Sequence, residues 1–243
     1  QVSTNQSSDS GVTPLFHIGT FEQLSVTRSV VAVRIMFPAS EMALKAVRPI
    51  ALLGNSVLRR QAVRVEKSVL LSPDFQNLIK IMENALNGEQ SGIGLAAPQV
   101  SSNFRLVLYC PQVEPDEFLP AQVMINPVIK DHSSETVSDW EQCLSIPGIT
   151  GLVSRWSSIN VGYLDRNGHE QEVALDGQDC RTVLHEMDHL EGILFIDKVD
   201  LKSDLFMTDE YERLLEEDPK ELLKREYPGV DWPAHEIEVE SPK

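Results

Sequence analysis

Apolar residues at Phe75, Leu78, Ile79, Met82 and Leu86 fall at i, i+3, i+4, i+7 and i+11. That spacing draws one stripe along a helix and predicts one side packed against a core. Ser72 is placed to cap this helix, and Pro73 to open its first turn, where a missing N–H does no harm. Gly88 is the expected stop. The run Arg105-Leu-Val-Leu-Tyr-Cys110 predicts a short strand, and residues 122–125 and 158–164 read as strands too. Asp165-Arg-Asn-Gly168 is turn chemistry and predicts a hairpin into a strand over 171–175. A second long helix is expected from about 179 to 191, ended by Gly192.

The ends differ in character. Residues 1–10 are polar and Ser-rich, and the stretch to 48 carries Arg28, Arg34, Lys45 and Arg48 with few acids. It reads as an added arm or as the remnant of an organellar transit peptide. Gln1 at the start leads to the expectation of a processed terminus, and no cleavable secretory signal is read. A compact domain is expected over 49–200, after an N-terminal extension over 1–48. From Asp200 the chain is acidic and helix-prone, with 14 acids against 6 bases, and Leu214, Leu215, Leu222 and Leu223 give it a packing edge. Residues 201–243 are therefore expected to form a helical C-terminal extension with a solvated charged face.

Composition narrows the function. The 243 residues are 42% hydrophobic and 24% charged, ordinary for a globular protein with a real core. A formal charge of −16 argues against a broad nucleic-acid face and against an anionic membrane surface. The longest apolar run, from Val30 to Phe37, is too short to span a bilayer. Three cysteines, Cys110, Cys143 and Cys180, make no disulfide framework and favour a reducing compartment.

The sharpest local signal is His185-Glu-Met-Asp-His189. On a helix, imidazoles four residues apart share a face and can hold one metal ion, leaving Glu186 free to handle protons. A third ligand is needed. A third histidine at the zinc-peptidase spacing is missing, because Phe195 stands there. Glu210 and Glu212 lie in the acidic tail without a motif. Cys180 points away from the histidine face, and Cys110 ends an apolar strand. Cys143, in the loop-like Glu141-Gln-Cys-Leu-Ser145, ranks first. Gly92-Ile-Gly-Leu-Ala-Ala-Pro-Gln99 lacks the third glycine of a dinucleotide loop and the Gly-Lys of a phosphate loop. Its small residues suit either a tight turn or a close approach of backbone to another group.

These three motifs in this order resemble peptide deformylase, with the likeness running from about Pro49 to Asp200 and including Gly54-Asn-Ser-Val-Leu-Arg59. The resemblance implies an α+β fold with mixed or antiparallel sheets around a central helix carrying the His-Glu-x-x-His motif. It implies removal of the formyl group from the N-terminal formyl-methionine of new polypeptides. Cys143, His185 and His189 would hold a divalent metal, Fe2+ in the first place, with Zn2+, Ni2+ or Co2+ as substitutes. Glu186 would be the general acid/base, with Gln99 and the Leu144 N–H as oxyanion donors. Backbone at Ile93, Gly94 and Gly148 would line the peptide groove, and Arg155 would border the cleft. Formylated nascent chains are the implied partners, with the ribosome as a second candidate, and neither sequence-specific nucleic-acid binding nor a membrane is expected. A bacterial-type cytoplasmic location follows, or an organelle if the basic arm is a transit remnant. Gln142 stands where the family's motif has Gly and is expected to strain the loop or crowd the mouth of the site, and Ser154 replaces a Pro. The alternatives are a zinc endopeptidase of the His-Glu-x-x-His type and a non-catalytic relative.

Overall fold

A computed structural model describes residues 50–86, 92–114 and 117–229. The arm over 1–48, Gly88 and the chain after 229 lie outside the described residues. Five helices are described: α1 (Lys67–Leu70), α2 (Pro73–Leu86), α3 (Gly177–Leu190), α4 (Thr208–Glu217) and α5 (Pro219–Glu226). The strands are β1 (Gly94–Ala96), β2 (Leu106–Tyr109), β3 (Gln112–Glu114), β4 (Glu117–Phe118), β5 (Gln122–His132), β6 (Thr136–Cys143), β7 (Ile146–Trp156), β8 (Ser158–Leu164), β9 (Glu170–Asp176) and β10 (Leu205–Met207). They form an antiparallel five-stranded sheet, β1-β2-β5-β8-β9, a three-stranded sheet, β10-β7-β6, and a small β3-β4 ribbon.

The large sheet is packed on both faces, which explains the unbroken apolar run in β2. Side chains alternate along a strand. Leu106 and Leu108 therefore join the α2 stripe of Phe75, Leu78, Ile79, Met82 and Leu86 in one core. Val107 and Tyr109 turn the other way, to Val183, Leu184, Met187 and Leu190 of α3. A third core beneath the small sheet gathers Leu58, Cys143, Ile146, Val153, Leu194 and Phe195. Thus α3 lies against the large sheet and also touches β7 of the small one.

Local signals account for most of the boundaries. Ser72 Oγ accepts the Phe75 N–H at 3.3 Å, so α2 begins at Pro73 as its cap dictates. The turn at 165–168 closes with Gly168 at φ +84° and leads into β9. α3 begins at Gly177, slightly ahead of its expected start, and Gly192 follows it at φ +73°. A Cβ at Gly192 would stand 2.8 Å from the Arg59 carbonyl carbon, so only glycine lets the chain leave the helix there. β5 runs on past residue 125 to His132, through Pro127, because register shifts between Ile125 and Val128 free that position from the ladder. Beyond 200, β10 adds an edge to β7, and α4 and α5 follow with Leu222 buried. No helix among the described residues is long and apolar enough to cross a membrane.

Candidate active site and metal centre

Cys143 is not in a loop: it ends β6 and pairs across the hairpin with Ile146. The strand was hidden because Thr136-Val-Ser-Asp-Trp-Glu-Gln-Cys143 is largely polar and sits in a small sheet. α3 brings His185 and His189 to the same place. The donor atoms of Cys143, His185 and His189 lie within 4.8 Å of one another, and all three residues are buried. Cys143 Sγ stands 3.3 Å from His189 Nε2. One thiol and two imidazoles converging in a dry spot fit a divalent transition metal, by the softness and geometry of the donors. Glu210 and Glu212 are exposed on α4, Phe195 fills the third core, and Cys180 donates its thiol to the Trp156 carbonyl.

Glu141 orients the site, a role the sequence reading did not assign. Its Oε2 is 2.9 Å from His185 Nδ1, which leaves Nε2 as the nitrogen for a cation. The same carboxylate accepts from Arg155 Nε and from Arg181 Nη1. Burial alone would raise the Glu141 pKa, but the Arg155 and His185 hydrogen bonds overcome it and hold the group far below the ordinary range. Burial likewise pushes His185 down, while its contacts with Cys143 and Glu141 outweigh that and hold it up at about 10. A cation held there would compete with that proton. Burial first, and then the neighbouring His185, drive His189 well below the usual histidine value, so its ring is neutral.

Arg155 does not border the cleft. It is 4% exposed, and its guanidinium is taken up by Glu141 and Asp188. It braces the carboxylate that braces His185.

Glu186 sits beside the donors at 4% exposure, with Oε2 buried and without a hydrogen-bond partner. Burial raises its pKa to about 7. β1 explains the small residues of the first motif. A Cβ on Gly94 would fall 2.6 Å from Glu186 Oε1, so bare backbone is what lets the strand pass this close to the carboxyl. Gln99 is 1% exposed, in the 3-10 turn after β1. Its Oε1 accepts the Ala96 N–H at 2.8 Å, which turns Nε2 toward Cys143 Sγ at 3.8 Å and Ser145 Oγ at 3.4 Å.

A cleft of about 560 Å³ joins these groups. Ile93, Gly94, Gln99, Cys143, Leu144, Gly148, His185 and Glu186 all line it. Gln142 lines it too and does not strain its strand. Its φ is not positive, and its amide donates to Thr150 Oγ1 at 3.1 Å.

A thiol and two imidazoles converging beside a buried carboxyl, one of whose oxygens has no partner, at the edge of a cleft, fit a metal-dependent hydrolase. The family model described as polypeptide deformylase matches residues 47–204. "Peptide deformylase 2" of Nostoc sp. is 38% identical over 182 residues, covering 71% of this chain and 97% of that one. A peptide deformylase from Acinetobacter baumannii, solved with Met-Ala-Ser bound, superposes with a TM-score of 0.60 at 34% identity, covering 64% of this chain and all of that one. One from Synechococcus elongatus, in complex with actinonin, gives a TM-score of 0.58 at 36% identity, covering 71% of this chain and 89% of that one. The chain belongs to the polypeptide deformylase family, hydrolases that remove the formyl group from N-terminal formyl-methionine.

Proposed function

We propose that Cys143, His185 and His189 hold the metal ion, Fe2+ first, and that Glu186 moves the protons of deformylation. The convergence of those three donor atoms within 4.8 Å, beside the buried carboxyl that follows His185 on α3, is the observation that carries this reading. Thiolate with imidazole suits Fe2+, Zn2+, Co2+ and Ni2+ alike. Bound there, a divalent cation supplies Lewis acidity at the reacting centre. Glu186 takes a proton from the attacking water and later hands it to the leaving amine, so formate and a free N-terminus result. Its pKa of about 7 suits a group that must both accept and give a proton. Gln99 Nε2 and the Leu144 N–H donate to the formyl oxygen as negative charge grows on it. β1 is the outermost strand of its sheet, and Ile93 and Gly94 line the cleft, which favours a peptide held by main-chain hydrogen bonds along that edge. In the same reading α3 is the central helix of the fold, residues 49–200 are the catalytic domain between two extensions, and the enzyme works on nascent chains in a bacterial-type cytoplasm or an organelle.

Formate release from formyl-Met-Ala-Ser, measured anaerobically beside metal analysis, tests the reading. Cleavage of casein without formate release would favour an endopeptidase. Neither activity would favour a non-catalytic relative. Cys143→Ser is expected to lower metal content after dialysis against a mild chelator by at least about tenfold. Unchanged metal content moves the third ligand elsewhere. Gln99→Ala is expected to lower kcat by about a hundredfold with KM nearly constant, since its amide strengthens its bond only as charge develops. A rise in KM alone would make Gln99 a group that binds substrate only.

A further inference from the structure

The family match ends at residue 204, yet the cleft is lined beyond it. β10 adds Leu205–Met207 to β7, and α4 then brings Tyr211 into the lining. Trp140 of β6, also in the lining, packs on Phe206 at 5.5 Å and on Tyr211 at 5.0 Å between ring centroids. Thr208 Oγ1 lies 2.9 Å from Thr150 Oγ1, the acceptor of the Gln142 amide. The C-terminal segment is thus tied to the cysteine motif through Gln142, the residue that departs from that motif.

Trp140 lies three residues before Cys143 on β6, with a register irregularity between Glu141 and Cys143, so the two stand no more than about 10 Å apart along the chain. An extended peptide spans that distance in about three residues. With the formyl group at the metal donors, the aromatic wall stands beside the residues that follow methionine. Burial, with the carboxylates of Glu226 and Asp139 nearby, pushes the Tyr211 hydroxyl up to about 12, so the ring stays neutral, and an acidic side chain laid on two neutral aromatic rings loses hydration without gaining a partner from them.

We propose that Tyr211 is a specificity-determining residue, forming with Trp140 a wall that takes an apolar side chain at the second or third substrate position and disfavours an acidic one. The proposal rests on the reading of the cleft as the formyl-peptide site. Formate release is compared for formyl-Met-Leu-Leu and formyl-Met-Asp-Asp, with formyl-Met-amide as reference. The unaltered enzyme is expected to prefer the Leu peptide by about tenfold in kcat/KM. Tyr211→Ala is expected to lose most of that ratio through KM, and Tyr211→Phe to keep it. Because the ratio is taken within one preparation, partial unfolding does not move it. Equal rates for the two peptides in the unaltered enzyme, or an unchanged ratio in Tyr211→Ala, overturn the proposal. Absence of formate from all three substrates overturns the active-site reading beneath it.

Discussion

Glu186→Gln is expected to lower kcat/KM for formyl-Met-Ala-Ser by about 10²- to 10⁴-fold while the bound metal stays at its normal level. Glutamine fills the same volume, so the close approach of Gly94 and the packing of α3 are kept. What disappears is the ability to take a proton. In the folded protein the carboxyl is buried, one oxygen has no protein partner, and its pKa is raised to about 7. At neutral pH a substantial fraction is ionised and ready to accept a proton, and the acid so formed is strong enough to pass it to an amine. Metal content measured beside formate release separates this role from ligation. Turnover within about threefold of normal would remove Glu186 from the proton path, and loss of metal would make it a ligand.

How far the sequence foretold this architecture depended on the range of the signal. The α2 stripe and its Ser72-Pro73 start are local, and both appear as expected. β2 was legible as an apolar run, although nothing within it says that Leu106 and Leu108 face one helix while Val107 and Tyr109 face another. The histidine pair could be read because a helical turn fixes i and i+4. Cys143 was found as a residue but misplaced in a loop, since β6 has too few apolar positions to show a period of two. That error also hid Glu141. On the strand it lies two residues from Cys143, and both are buried while Gln142 between them is exposed, whereas in a loop it has no direction. Arg155 was assigned to the cleft for a related reason. Its partners, Glu141 and Asp188, lie on β6 and α3, and only the fold unites them. The tail was read as a solvated face with a leucine edge, and that pattern gave no sign that Phe206 and Tyr211 would pack on Trp140.

Removing the Glu141 carboxylate is expected to produce the largest loss of stability. Arg155 and Arg181 are both buried, and both guanidiniums converge on that one carboxylate. In Glu141→Ala, Asp188 still faces Arg155, and Arg181 keeps its bonds to the Val137 and Val153 carbonyls. Two cations nevertheless remain buried around a lost anion, and breaking such a pair typically costs about 3–5 kcal/mol. Urea unfolding of the metal-free protein measures this directly. Glu141→Gln, which retains a hydrogen-bond acceptor but no charge, should fall between the variant and the unaltered chain. The pH dependence gives a second check. Folding lowers the Glu141 pKa, so the unfolded chain binds its proton first as pH falls. Its contribution is complete above the ordinary glutamate range, near about 4.3, and drains away below it. Unaltered protein should therefore lose stability more steeply below pH of about 5 than Glu141→Ala does. The same substitution releases His185 Nδ1, so metal affinity should drop by about 10- to 100-fold. Metal-free stability within about 1 kcal/mol of normal would mean that the two arginines are satisfied by carbonyls and Asp188 alone. Glu141 would then act on His185 without holding the small sheet to α3.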